Sequence, residues 1–259
     1  CGSKIGLLGN RKLEDGNLCK DCTAKLSPWF SERRHSTVAD IREQLAYREE
    51  NQEKVAAFTV TRTIGRYYSI YLDEDHGRFL VSGSRNFRDG NPDVLDFTQV
   101  TGCDLDIDES KTEERRKDKD GNMVSYNPPR YTYSYNFYVN IRVNHPWFDD
   151  MRFRLNPSSV EIETPVQAAP QKRNGSLSSA LMNAAINAMD SNTKNAEYQQ
   201  YVDMGNEIKT ALLQERQEAR DTIAAANAPK TAVTCPCCGA STIPDANGCC
   251  EYCGGAVNS

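Results

Sequence analysis

The sequence lacks any apolar run of about eighteen or more residues, the length that a membrane-spanning helix needs. It also has no charged and apolar leader at its start, which favours a cytoplasmic protein. A mean hydropathy of -0.67 and 26% charged residues argue against one large continuous core. We therefore expect several small modules joined by polar segments.

An excess of positive charge is missing as well. The chain has 31 Lys and Arg against 36 Asp and Glu, for a formal net charge of -5. Binding to phosphate backbones depends on an excess of Lys and Arg. The balance disfavours a general polyanion binder, although local basic patches remain open.

Motifs that carry catalysis are scarce. The chain has three histidines, His35, His76 and His145, and neither a P-loop nor a Ser or Cys nucleophile elbow. Zinc sites built from cysteines alone are closed and structural, with no position left for a substrate. We therefore do not expect an enzyme.

Cysteine, in contrast, is abundant, and six of the ten lie in the tail TCPCCGASTIPDANGCCEYCGGAVNS. Pairs spaced C-x-x-C in a chain without a leader are typical of metal sites, and a disulfide-linked tail is the alternative. Glycine after the second cysteine of a pair adopts the left-handed conformation that lets backbone N–H groups point at sulfur. This pattern selects four Zn²⁺ ligands in a zinc ribbon: Cys235, Cys238, Cys250 and Cys253. Cys237 and Cys249 are then bystanders, or thiols that support alternative metal loading.

The opening stretch CGSKIGLLGNRKLEDGNLCKDC shows the same pattern once more. Cys1 precedes Gly2, so we expect it to be the second cysteine of a pair whose first member lies upstream of this chain. Cys19 and Cys22 form the other pair, after a predicted hairpin and before a short helix, which is typical of a treble-clef-like zinc module. His35 is an alternative fourth ligand, although a surface histidine is the commoner case. Two zinc sites are expected in the intact protein, with one ligand missing here from the N-terminal site.

The run CGSKIGLLGNRKLEDGNLCKDCTAKLSPWF, followed by RRHSTVADIREQLAYREEN, resembles a family of bacterial proteins whose function is not established. Its members begin with a C-x-x-C…C-x-x-C zinc module, and a further C-x-x precedes the position of Cys1. The resemblance covers the first fifth of the chain closely, and the acidic β segment and the closing ribbon more loosely. It implies zinc binding in the cytoplasm and no particular activity.

The middle of the chain follows a period of two that predicts an antiparallel β domain of six or seven strands, a sandwich or a barrel resembling pleckstrin-homology folds. Alternating residues over 131–143 predict one long half-buried strand, with Met151 and Phe153 on its antiparallel neighbour. A second set of apolar residues, upstream of this strand, predicts one shared buried face, with Gly102 as a bulge and Cys103 pointing inward. The residues of this set are Leu95, Phe97, Cys103, Leu105 and Ile107.

One feature of the β domain suggests a calcium-binding site. Asp104, Asp106 and Asp108 alternate, and DKDGNM resembles the start of an EF-hand loop, but its sixth residue is Met123, where glycine is required. The aspartates are more simply the solvated face of a strand, and Gly121 a hairpin turn.

Helices flank the β domain. Thr37 and Asp40 fit a capping box, and Val38, Ile41 and Leu45 then share one helical face. The later helical sequence has two apolar faces that either pair with a second copy over 177–226 or dock on the β domain. These faces comprise Leu177, Leu181, Ala185 and Ala188, then Tyr201, Met204, Ile208 and Leu212.

The chain as a whole is predicted to be an α+β protein of several modules. The predicted division is a zinc module at 1–35, a connecting helix at 36–57, an antiparallel β domain at 58–163, a linker with amphipathic helices at 164–230, and a zinc ribbon at 231–259.

The leading functional hypothesis is a non-enzymatic zinc-binding adapter or scaffold. It would mediate protein interactions in the bacterial cytoplasm, either in solution or at the membrane surface. The alternative is a nucleic-acid-associated regulator that uses the basic N-terminal module.

Overall fold

The computed structural model describes residues 2, 5, 9–163, 177–228, 232–245 and 247–257, and for residues 177–194 the backbone alone. The fold is α+β and built from antiparallel sheets. The chain divides into two compact units, Cys1–Gln217 and Glu218–Ser259, so the boundary falls inside the last helix. The finer division into five segments stays a prediction. No helix in the described ranges is both long and apolar enough to cross a membrane.

The first unit begins with a small hairpin and a short helix. Strands β1 (Arg11–Lys12) and β2 (Asn17–Leu18) pair in antiparallel fashion, and helix α1 (Lys20–Lys25) follows. Their apolar side chains, Leu13, Leu18 and Leu26, cluster with Ile41 of the next helix. The hairpin and the short helix predicted for this region are thereby confirmed.

Helix α2 (Val38–Ala57) starts at the predicted capping box. The Thr37 N–H donates to Asp40 Oδ2 at 2.8 Å and lowers the pKa of that carboxyl. The buried face is rotated from the predicted one, because Val38 and Leu45 are only half-buried. It consists of Ile41, Gln44, Arg48, Asn51 and Val55.

A four-stranded antiparallel sheet follows, in the order β3–β4–β5–β6. Its strands are β3 (Arg62–Gly65), β4 (Ser69–Asp73), β5 (Arg78–Ser82) and β6 (Val94–Asp96). Gly77 has a φ of 66° in the turn between β4 and β5. One face of the sheet packs on the end of α2 through a cluster of Val55, Phe58, Tyr71, Leu80, Phe87 and Val94.

The second sheet has β8 at its centre, with β7 along one edge and β9 and β10 along the other. These strands are β7 (Val100–Lys117), β8 (Met123–Val143), β9 (Asp150–Arg154) and β10 (Val160–Glu163). The long strand, its neighbour at Met151 and Phe153, and the bulge before Gly102 are all as predicted. Cys103 points inward, and burial raises its pKa to about 12.

Two predictions about the β domain are wrong. Eight strands, rather than six or seven, lie within 58–163. The shared face from Leu95 to Ile107 does not exist, because a 3₁₀ turn at Phe97–Gln99 ends β6 and starts β7 in the other sheet. Leu95 and Cys103 are buried on separate strands, whereas Ile107 is 38% exposed.

Helix α3 (Leu177–Asn227) lies against edge strand β3 of the first sheet and across β7 and β8 of the second. Tyr198 packs edge-on against Tyr135 with 4.9 Å between ring centroids, and Arg62 on β3 pairs with Glu207 at 2.8 Å. The sequence predicts two apolar faces here, and the structure has one continuous helix. Tyr201, Ile208 and Leu212 are buried, which confirms docking on the β domain for that face. The side chains of the Leu177–Ala188 face lie outside the described residues.

A buried ion pair connects the N-terminal region, α2 and the β domain. Arg48 Nη1 lies 2.6 Å from Asp93 Oδ1, and Ser27 Oγ donates to Asp93 Oδ2 at 2.8 Å. Arg48 also donates from Nε to the carbonyl oxygen of Lys25 and from Nη2 to that of Asn91. Burial raises the pKa of Asp93, because desolvation outweighs the favourable charge of Arg48 and the hydroxyl of Ser27.

Replacing Arg48 should destabilise the first unit strongly. The substitution Arg48→Met leaves Asp93 buried without its counter-charge, which costs about 3–5 kcal/mol of unfolding free energy. Both tryptophans, Trp29 and Trp147, lie in this unit, so urea unfolding followed by their fluorescence reports on it. The control is Arg42→Met, an exposed residue of the same helix. Equal midpoints for the two variants would contradict the prediction.

His145 is a second buried polar group, 8% exposed. The Trp147 N–H donates to its Nδ1 at 3.3 Å, and its Nε2 lies 3.0 Å from Tyr47 Oη. Because Nδ1 accepts a hydrogen bond, the neutral ring carries its proton on Nε2 and donates it to Tyr47. Burial lowers the pKa of His145 to about 4, and the charges of Lys54 and Arg48 act in the same direction.

This lowered pKa predicts a loss of stability in acid. Above pH 6.5 the ring is neutral in the folded and unfolded chains, whereas below it only the unfolded chain takes up the proton. Between pH 7 and pH 4.5 the unfolding free energy should fall by about 2 kcal/mol more in the parent protein than in His145→Gln. Urea titrations at both pH values measure the difference. The exposed-site variant His35→Gln should behave as the parent does, and a parent-like slope in His145→Gln would refute the assignment.

Candidate metal centre

The second unit contains a small hairpin and two matching turns, of which the first lies within the hairpin and the second after it. Strand β11 (Val233–Thr234) pairs with β12 (Ser241–Thr242). In the first turn the Gly239 N–H donates to the Cys235 carbonyl at 2.8 Å, and in the second the Gly254 N–H donates to the Cys250 carbonyl at 2.8 Å. The two glycines have φ values of 73° and 70°, the left-handed conformation that the sequence predicts. Each turn therefore presents its pair of cysteines in the same way.

The turns bring four sulfur atoms together, those of Cys235, Cys238, Cys250 and Cys253. All four lie within 4.8 Å of one another, with 3.6 Å from Cys235 to Cys253 and 3.8 Å from Cys238 to Cys250. A tetrahedral zinc site with Zn–S bonds of about 2.3 Å has sulfur–sulfur edges of about 3.8 Å. The cluster is therefore close enough to bind a metal ion, and its size fits zinc.

Backbone N–H groups are directed at these sulfurs. The N–H of Cys238 is the main cause that lowers the pKa of Cys235 to about 6. Burial raises the pKa of Cys250, but the N–H groups of Tyr252 and Cys253 outweigh it and the net shift is downward. Oriented donors of this kind favour the thiolate, which is the form that binds a metal.

Cys253 shows why the four sulfurs need a cation. The N–H of Gly255 lowers the pKa of Cys253, but the sulfurs of Cys238 and Cys235 raise it by more. The net effect is a pKa of about 12. Four adjacent thiolates repel one another, so the sulfurs retain protons when no cation balances their charge. A divalent ion would supply the missing positive charge, and these protons would be released as it binds.

The second pair is positioned by the loop before it. Asp245 Oδ1 accepts from the N–H groups of Asn247 at 2.9 Å and Cys249 at 2.8 Å, and the Val257 N–H donates to the Gly248 carbonyl at 2.8 Å. Sequence reasoning did not identify Asp245 as the cap of this loop. The signal available was an Asp two residues before an Asn-Gly pair.

Cys237 and Cys249 remain outside the four-sulfur cluster. Cys237 is exposed, and its sulfur lies beside Gly255, where an added Cβ would meet it at 2.8 Å. The Cys249 sulfur lies 3.8 Å from the carbonyl oxygen of Asn247. Alternative metal loading through these two thiols stays a prediction.

The N-terminal cysteines are described only in part, because Cys1 lies outside the described residues. The Cys22 N–H lies 3.4 Å from Cys19 Sγ, and the Thr23 N–H donates to the Cys19 carbonyl at 3.0 Å, the same pattern as in the tail. Gly2 has a φ of 70°, which is the expected sign. His35 is exposed, and in the described chain it joins no group of metal-ligating side chains.

The aspartates considered for calcium are solvated, as expected. Their side chains are 40–59% exposed, and Asp104 pairs with Arg142 at 2.6 Å while Arg152 lies 3.7 Å from both Asp106 and Asp108. Gly121 occupies a turn with a φ of 87°.

Comparison with known families gives a match at the start of the chain. Residues 1–44 match a family model described as Domain of unknown function (DUF4428). The matched region contains all three N-terminal cysteines and the first turns of α2, and it fits a zinc-module family whose function is not established. Comparisons with curated proteins and with solved structures give no match.

Substitution in the four-sulfur cluster should remove zinc. We expect Cys250→Ser to lower the zinc content of the purified full chain by about one ion, because its neutral hydroxyl is a poor replacement for a thiolate. Cys237→Ser, a matched change just outside the cluster, should leave the content unchanged. Elemental analysis after purification without chelator measures both. Retention of zinc by Cys250→Ser would contradict the site, and a second ion in the parent protein would indicate a loaded N-terminal site.

Proposed function

We propose that this protein is a non-enzymatic zinc-binding adapter or scaffold that holds a protein partner in the bacterial cytoplasm, in solution or at the membrane surface. The observation that carries the proposal is the cluster of four cysteine sulfurs. Four thiolates fill the coordination sphere of zinc, so such a site shapes a fold and leaves no open position for catalysis. In this proposal Cys1, Cys19 and Cys22 belong to a second, treble-clef-like zinc site.

The β domain offers a surface for the partner. The last residue of β8 that pairs with β10 is Thr132, and farther along the β7–β8 hairpin continues as a two-stranded arm, residues 114–130. No further strand of the described chain pairs with the arm. Unpaired strand edges accept an added strand from another protein, and the side chain of Met123, 55% exposed, adds apolar area.

The proposal includes a finer reading of the domain. Two antiparallel sheets with α3 packed against both are compatible with a barrel resembling pleckstrin-homology folds. The proposal also includes pairing between copies through helices 177–226.

A nucleic-acid-associated regulator is the second candidate. It is favoured by the charge of residues 1–35, which carry seven basic and four acidic side chains in a protein of net charge -5. Binding of this kind weakens steeply with salt, whereas an apolar protein contact does not.

An arm deletion tests the adapter function. Glu114 lies directly opposite Arg130, so an Asn-Gly turn can replace 115–129 and close a shorter hairpin. We expect the immobilised full chain to retain a protein from a bacterial lysate at both 50 and 500 mM salt, and the shortened variant to lose it. Tryptophan fluorescence should show that the variant is folded.

The control is Met123→Leu, which keeps the arm and its apolar surface and should retain the partner. Loss of all captured material on raising the salt or adding nuclease would favour the second candidate. Equal capture by the parent and the shortened variant would show that the arm is not the binding surface.

A further inference from the structure

A cleft of about 650 Å³ lies in the N-terminal region, between β1 and the 3₁₀ turn Glu32–His35. Its described lining consists of Asn10, Arg11, Lys12, Arg33 and Arg34. Four of these five side chains are cations, and none is acidic or aromatic. This concentration of one charge is unusual for a protein that is acidic overall.

The fold holds the two basic pairs together. Arg33 Nη1 donates to the carbonyl oxygen of Lys12 at 2.6 Å, which ties the 3₁₀ turn to β1. The Glu14 N–H donates to the Ser36 carbonyl at 3.0 Å and closes the same junction. Arg11 Nη1 also donates to the carbonyl oxygen of Asn10 at 3.3 Å. The cleft is therefore formed by hydrogen bonds of the backbone and of two arginines, and the remaining donors of the four cations are left for a ligand.

These charges are not neutralised within the described part of the chain. The ion pairs found there involve other cations, such as Arg48, Arg62, Arg142 and Arg152. The carboxylate of Glu32, the acid nearest in sequence to Arg33, accepts from Ser31 Oγ at 3.2 Å. Four like charges around one cleft repel one another, and a bound anion would relieve that repulsion.

We propose that this cleft binds a polyphosphate group, a ligand with two or more linked phosphates. Guanidinium groups match phosphate oxygens through paired hydrogen bonds, and four cations suit an anion of several charges better than a single carboxylate. The volume is in the range of small-molecule sites. Because no aromatic side chain of the described lining could stack on a base, the phosphates are the recognised part. The inference is independent of the adapter function.

Calorimetric titration of the full chain with sodium tripolyphosphate tests the proposal. We expect saturable binding at 50 mM salt, weakened about tenfold or more in Arg11→Gln/Arg34→Gln, since each charge-assisted hydrogen bond contributes on that scale. The control Lys20→Gln/Lys25→Gln removes the same charge from the same region but lies outside the cleft, and should bind within about twofold of the parent. Zinc content measured after titration should be unchanged, so that the heat does not come from metal extraction.

Three outcomes would overturn the proposal. One is the absence of saturable heat in the parent protein, and another is equal weakening in both double variants, which would reduce the effect to net charge. The third is binding of a duplex DNA that tripolyphosphate cannot displace. ATP should compete with tripolyphosphate, because it carries the same chain of linked phosphates. Unchanged tryptophan fluorescence in both variants shows that the fold is intact.

Discussion

The ion pair between Arg48 and Asp93 is the interaction on which the arrangement of the first unit depends. A buried carboxylate and guanidinium are stable only when all of their donors and acceptors have partners. Here the partners come from three separate parts of the chain: Ser27 after α1, Arg48 on α2, and the loop before β6. A shift of α2 or of the loop would separate the two charges, and a shift of Ser27 would leave Asp93 Oδ2 without its donor, so the pair favours one register for all three parts. Apolar contacts alone would tolerate several registers.

Helix α2 carries this pair between two apolar clusters. Near its start, Ile41 packs with the leucines of the N-terminal hairpin, and near its end Val55 packs with Phe58 and the first sheet. Asn51 continues the polar strip by donating to the Pro92 carbonyl at 2.7 Å and accepting from the Val94 N–H at 3.0 Å. The clusters exclude water on both sides and so strengthen the charges between them.

Local patterns in the sequence predicted local structure well. Alternation over 131–143 was sufficient for that part of β8 but not for its start at Met123, and C-x-x-C spacing with a following glycine was sufficient to select the four sulfurs that lie together. The predictions failed where contacts between residues distant in the sequence decide which side chains are buried. Arg48 and Asn51 have the spacing of a buried face, but a polar side chain is taken as exposed until its partner, over 40 positions away, is known. The basic cleft was missed for the same reason, since its two halves are apart in sequence.

The four-sulfur cluster also affects the net charge of the protein. Zinc with four thiolates carries a net charge of about -2, whereas four protonated thiols carry none. Metal loading would therefore make the second unit more acidic without any change of sequence, and would move the isoelectric point below its present value of about 5.4. A surface of that kind favours basic proteins as neighbours and repels nucleic acid.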